Sequence, residues 1–94
     1  MDLRLAVKRE YFMQAKSRIK KFEYREITDY WSKRLVGRNY DTVTLTLGYP
    51  RRGDSERELT FPYNGFERQL ITHKHFGNEP KVVYAIRLED EKCK

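Results

Sequence analysis

Apolar side chains recur along this chain at two spacings, and the spacing separates strands from helices. Leu3, Leu5 and Val7 alternate with polar neighbours, which puts them on one face of a first strand that ends at Lys8 and Arg9. Over residues 9–16 the spacing changes. Phe12, Ala15 and Ile19 stand three and four apart, one stripe of a short helix, with Tyr11 beside it and Met13, Lys16 and Arg18 facing outward. Alternation returns over residues 21–27. Phe22 and Tyr24 fall on one side of that strand, and Glu23, Arg25 and Ile27 on the other. Thr28 and Asp29 are suited to cap a second helix over residues 29–35. Trp31 and Leu35 share a face of it, and Gly37 can close it. Trp31 reads as a core anchor, with base stacking as its other role.

The second half is strand-rich. In Thr-Val-Thr-Leu-Thr-Leu, residues 42–47, the expected inward side chains are Val43, Leu45 and Leu47, with the threonines outward. Gly48-Tyr49-Pro50 breaks the run, and residues 51–56 form a charged turn around Gly53 and Asp54. Arg52-Gly53-Asp54 therefore reads as turn chemistry, not as an adhesion ligand, since the N-terminus lacks the apolar stretch of a secretion signal. Residues 58–62 form a strand with Leu59 and Phe61 inward. After a Tyr63-Asn64-Gly65 turn, residues 66–75 form a fifth strand. A loop over 76–80 leads to a last strand, 81–88, and a charged tail, 89–94. The expected order is β-α-β-α-β-β-β-β, a single α+β domain over residues 1–94. Six strands in so short a chain favour a small, closed or nearly closed β-barrel, because closure removes exposed edges.

Composition sharpens this picture. Charged residues make up 36% and hydrophobic residues 38%, so the core is modest; an aromatic share of 14% argues against disorder. The formal net charge of +6 favours polyanions, with RNA or DNA first and acidic membranes or proteins second. Cys93 is the single cysteine, so no internal disulfide can form, and the usage fits a reducing, cytoplasmic setting. No run approaches the ~20 apolar residues of a membrane helix, so a membrane partner is not expected. His73 and His75 would share a strand face, but no third metal ligand accompanies them. Neither a Gly-rich phosphate loop nor a nucleophile–histidine arrangement is present, so no cofactor is implied.

Lys20-x-x-Glu23-x-Arg25, following a strand and a short helix, resembles the motif of ASCH domains, a branch of the PUA-like superfamily. The context is similar too: Tyr30-Trp31-x-x-Arg34-Leu35, then Gly48-Tyr49, then Tyr84-Ala85-Ile86-x-Leu88. Small phage and bacterial single-domain members resemble this chain from about Leu5 to Leu88. The family pattern has Gly two residues before the Lys, where this chain has Arg18. The resemblance implies a PUA-like β-barrel of about six strands with two short helices, and a cleft beside the motif strand that binds RNA or, in some members, DNA. A related branch hydrolyses N4-acetylcytidine with a Lys, a Thr and a later acid. Lys20 matches that Lys, but Glu23 stands at the Thr position, so the hydroxyl nucleophile is missing. Glu79 is a candidate for the later acid only through its place in the loop before the last strand. Ribonuclease activity is also attributed to some members.

The side chains themselves admit two kinds of site. For binding of a single-stranded or modified nucleotide, Arg25 offers a planar fork to phosphate or a base edge, Lys20 a point charge, and Glu23 an acceptor for an exocyclic amine or an anchor for Arg25. For catalysis, as an amidohydrolase or a ribonuclease, Glu23 would act as general base and Lys20 or Arg25 would stabilise a developing oxyanion. An ion-paired triad tying strand to helix, or a protein-interaction module, are the remaining readings. Lys8, Tyr49, Arg51 and Arg52 are the expected contributors around the cleft, as cations for phosphate or as platforms for bases.

Overall fold

The computed structural model describes residues 1–51, 54–73 and 77–88. Its elements follow the expected order: β1 (Asp2–Val7), α1 (Arg9–Lys16), β2 (Phe22–Glu26), α2 (Asp29–Leu35), β3 (Thr42–Leu47), β4 (Glu58–Pro62), β5 (Phe66–Ile71) and β6 (Lys81–Arg87). A single 3-10 turn, Ser55–Arg57, occupies part of the expected charged turn. The fifth strand ends at Ile71, short of the expected residue 75. Arg52, His75, Cys93 and the tail over 89–94 lie outside the described residues.

The strands form two three-stranded sheets, β1-β3-β4 and β2-β6-β5. In the first, β1 and β3 run parallel and β3 and β4 antiparallel. The second is antiparallel throughout. Among the described residues no backbone ladder joins one sheet to the other, so the expected closure into a barrel is not made by hydrogen bonds there. The sheets instead share a core. Leu3, Leu5, Val43 and Leu45 from one meet Tyr84 and Ile86 from the other, with Phe12 and Ala15 of α1 and Leu35 of α2.

Each sheet's middle strand is covered on both faces. In β6, Val83 and Ala85 point one way and Tyr84 and Ile86 the other, and all four are buried. In β3 this corrects the expectation that the threonines face solvent: Thr44 and Thr46 are buried, while Leu47 is only half-buried. Threonine tolerates that position because its hydroxyl finds partners. Thr44 Oγ1 donates to Asp2 Oδ1 at 2.9 Å and lies 3.0 Å from Thr60 Oγ1, and Thr46 Oγ1 donates to the Gly48 carbonyl at 2.8 Å.

The helix ends explain where the chain turns. Thr28 caps α2, its Oγ1 accepting from the Trp31 amide at 3.2 Å, as its sequence position suggests. At the end of α1 the Arg18 amide donates to the Ala15 carbonyl and the Ile19 amide to Gln14, the Schellman pattern. Arg18 carries it with φ of 67°, a left-handed conformation that favours glycine. The chain therefore leaves the helical path two residues after Lys16. This corrects the place of Ile19, which is off the apolar stripe and 74% exposed.

Candidate nucleic-acid interface

The free edges of the two sheets meet at β1 and β2, each an edge strand in its own sheet. One hydrogen bond spans that seam: Arg25 Nη2 donates to the Ala6 carbonyl at 3.0 Å. Beside it opens a cleft of about 880 Å³, walled by β1, β2, the start of both helices and the exit of β3.

Lys20, Glu23 and Arg25 meet in this cleft. Glu23 Oε2 lies 2.9 Å from Arg25 Nη2, and Glu23 Oε1 lies 3.4 Å from Lys20 Nζ. The acid is buried, its side chain 7% exposed, and the cations are mostly covered, at 11% for Lys20 and 19% for Arg25. Local geometry produces this. Period two turns Glu23 and Arg25 to the same face of β2, the face that looks toward the other sheet. The left-handed turn at Arg18 brings Lys20 alongside.

Aromatic rings hold the two cations. Lys20 Nζ lies 5.1 Å from the Tyr11 ring centroid and 5.2 Å from that of Tyr24. The Arg25 guanidinium carbon lies 5.0 Å from the Trp31 ring, and that of Arg34 lies 5.6 Å from it and 5.2 Å from Tyr30. Attraction of a cation to an aromatic face is worth roughly 0.5–2 kcal/mol, more where water is displaced. Arg25 Nη2 is thus engaged by Glu23 and Ala6, and its plane by Trp31. The guanidinium acts first as a brace between the sheets. Glu23 Oε1 and Arg25 Nε are buried without a hydrogen-bond partner.

Burial, followed by the nearby carboxylates of Glu23 and Glu67, pushes the Tyr24 phenol above its ordinary value of 10.0. Tyr24 therefore faces the cleft neutral, with a hydroxyl able to donate.

Of the other expected residues, Lys8 and Tyr49 line the cleft. Arg51 is exposed and is not among the lining residues, and Arg52 lies outside the described ones. Glu79 is exposed and also does not line the cleft. His73 lines it and packs against Tyr11, with ring centroids 5.7 Å apart. Among the described residues no group of three His, Cys, Asp or Glu side chains could hold a metal ion.

Arg9, Tyr11, Tyr24 and Tyr30, which were not expected there, also line the cleft. Trp31, expected as a core anchor with base stacking as its other role, is partly buried: it packs against the core and also forms a cleft wall. Tyr-Trp within Tyr30-Trp31-x-x-Arg34 was the available signal: amphipathic rings beside arginine suit a half-wet wall better than a core.

No family model matches this chain, and no curated protein or solved structure matches it either. Among the described residues, no helix is long and apolar enough to cross a membrane.

Proposed function

We propose that this chain is a small ASCH-type module that binds RNA, or another single-stranded nucleic acid, in the cleft beside β2. One observation carries the reading: a buried carboxylate, Glu23, is held between Lys20 and Arg25 in a cavity of about 880 Å³ walled by tyrosines and a tryptophan. Cations suit phosphate and rings suit unpaired bases, while Glu23 fixes two of those cations in the cleft. The chain's net charge of +6 agrees with a polyanionic partner.

Two further observations support the family resemblance. Arg18, at the position of the family's Gly, has the left-handed φ that glycine would adopt most readily. The two sheets, braced by Arg25 across a shared core, correspond in this reading to opposite walls of a PUA-like barrel. The lone thiol, Cys93, fits action in the cytoplasm.

Binding is preferred over hydrolysis on this same cleft, whether of N4-acetylcytidine or of RNA. Both Glu23 oxygens face cations, and Arg25 is committed to the seam. Neither is presented to an attacking water. The test is RNA affinity of Lys20→Ala and Arg25→Ala, each first checked for folding by circular dichroism. Both substitutions are expected to weaken binding, and unchanged affinity in both would refute the assignment. Incubation with N4-acetylcytidine and with labelled RNA, alongside Glu23→Gln, is expected to show no turnover above that variant.

A further inference from the structure

The described tyrosines of the cleft differ sharply in what they do. Tyr11 and Tyr24 hold Lys20 inside it. Tyr30 and Tyr49 stand at its mouth, 59% and 95% exposed. They come from separate walls: Tyr30 from the first turn of α2, and Tyr49 from the residue after Gly48, where the chain leaves β3. Single exposed aromatics are ordinary on a protein surface. Two at the lips of one cleft with charged walls are a different matter. Tyr84 joins Phe12 and Phe61 in the core, and Tyr40, Tyr63 and Phe66 pack against it, but among the described residues no Phe lines the cleft, whose rings are Tyr, Trp and His. Tyr30 is also backed by the Arg34 guanidinium, 5.2 Å from its centroid. The ring also meets Trp31 at right angles, with centroids 5.0 Å apart, so it is held from within the protein while most of its surface stays in solvent.

Resting on the nucleic-acid reading above, we infer that the ligand is a short single strand which crosses the cleft, with one nucleotide seated inside and its two neighbours stacked on Tyr30 and Tyr49. A free nucleotide would fill the interior and leave both rings unused. A duplex would keep its bases stacked on each other and could offer neither neighbour. Charge on the lining supports the path. Lys8 and Arg9 are exposed on the lining and Glu26 is paired with Lys81, so a backbone running over the rim meets cations. Stacking is indifferent to base identity, so these two positions set the length of strand recognised, and selection among bases falls to the interior.

The experiment is a competition series. Randomised single-stranded RNAs of one, three and five nucleotides, together with a duplex of the same pool, are titrated against a labelled pentamer on wild-type protein and on Tyr30→Ala, Tyr49→Ala, Tyr30→Phe and Tyr49→Phe. Both sites are exposed, so the variants are expected to fold. The trimer should bind at least tenfold more tightly than the mononucleotide, and the duplex more weakly than the trimer. Each alanine substitution should cut trimer affinity by about 5- to 150-fold, the range of one base–aromatic stack, without affecting the mononucleotide. The phenylalanine variants should bind as wild type. Equal affinity for one and three nucleotides, or alanine effects of the same size on both lengths, would overturn the inference while leaving nucleic-acid binding intact. No binding of the labelled pentamer at low salt would overturn both.

Discussion

Glu23 ties the cations of the cleft to the fold. Two cations face it, and each is largely withdrawn from water. Removing the acid leaves both unpaired, which in a buried pair costs about 3–5 kcal/mol. Glu23→Ala should therefore destabilise the protein by about 3 kcal/mol, the low end, because Lys20 and Arg25 retain some solvent. Glu23→Gln keeps the shape and an acceptor, and should lose roughly half as much. Urea unfolding of the two variants measures this; a loss below about 1 kcal/mol for the alanine would show that the cations do not depend on the acid. Tyr24 adds a pH dependence at the same place. Its phenol is raised above 10.0 in the folded state by burial and by Glu23 and Glu67. The folded protein then holds the proton longer than the unfolded chain, so the full stability is present below pH 10 and declines as pH rises through the folded value. Unfolding measured from pH 8 to 11 should show that decline, and Tyr24→Phe should make it shallower. The alternation Phe-Glu-Tyr-Arg was enough to put Glu23 and Arg25 on one face. It could not show that Tyr24, on the other face, also reaches the cleft, because that follows from β2 being an edge strand around which the cavity bends.

The clearest divergence between sequence and structure among the elements is at the end of α1. Spacing carried the apolar stripe on to Ile19, but the Schellman turn at Arg18 ends it. Helical periodicity says nothing about a left-handed residue unless a glycine marks it, and here arginine does the work. A non-glycine residue in this conformation costs roughly 1–2 kcal/mol, against about 0.4–1 kcal/mol that glycine loses through the freedom of its unfolded chain. Arg18→Gly should therefore stabilise the protein by up to about 1 kcal/mol, a rise in Tm of a few degrees by calorimetry. Arg18→Val should do the reverse, since a branched side chain fits this region worst. In β3 the alternation was real but its meaning was not. Threonine on alternate positions normally marks a wet face, yet hydroxyl partners from Asp2, Thr60 and the Gly48 carbonyl allow that face to be buried. Strand positions could be read because local pattern decides them. Pairing is decided by contacts distant along the chain, such as β1 with β3 and β2 with β6.

The division into two sheets is what creates the site. A ladder between β1 and β2 would have consumed both edges, where the described sheets leave them unpaired. Instead a guanidinium spans the seam, and the gap beside it is lined by groups from four elements and the exit of a fifth. On the proposed nucleic-acid reading, affinity depends on charge gathered from across the chain: Lys8 and Arg9 from the start of α1, Lys20 from the turn before β2. If two or three of these reach phosphates, single-strand binding should lose affinity with a log–log salt slope of about −1.4 to −2.1, since each contact adds about −0.7. Between 50 and 200 mM salt the loss would be roughly 7- to 20-fold. The double variant Lys8→Ala/Arg9→Ala should bring the slope toward −0.7 while leaving stacking on Tyr30 and Tyr49 in place, so affinity at high salt should change little. Binding measured by fluorescence anisotropy across that salt range, on wild type and the double variant, separates the two contributions. A slope near zero in the wild type would mean that the rim cations are not used, and that whatever occupies the cleft is held by its rings alone.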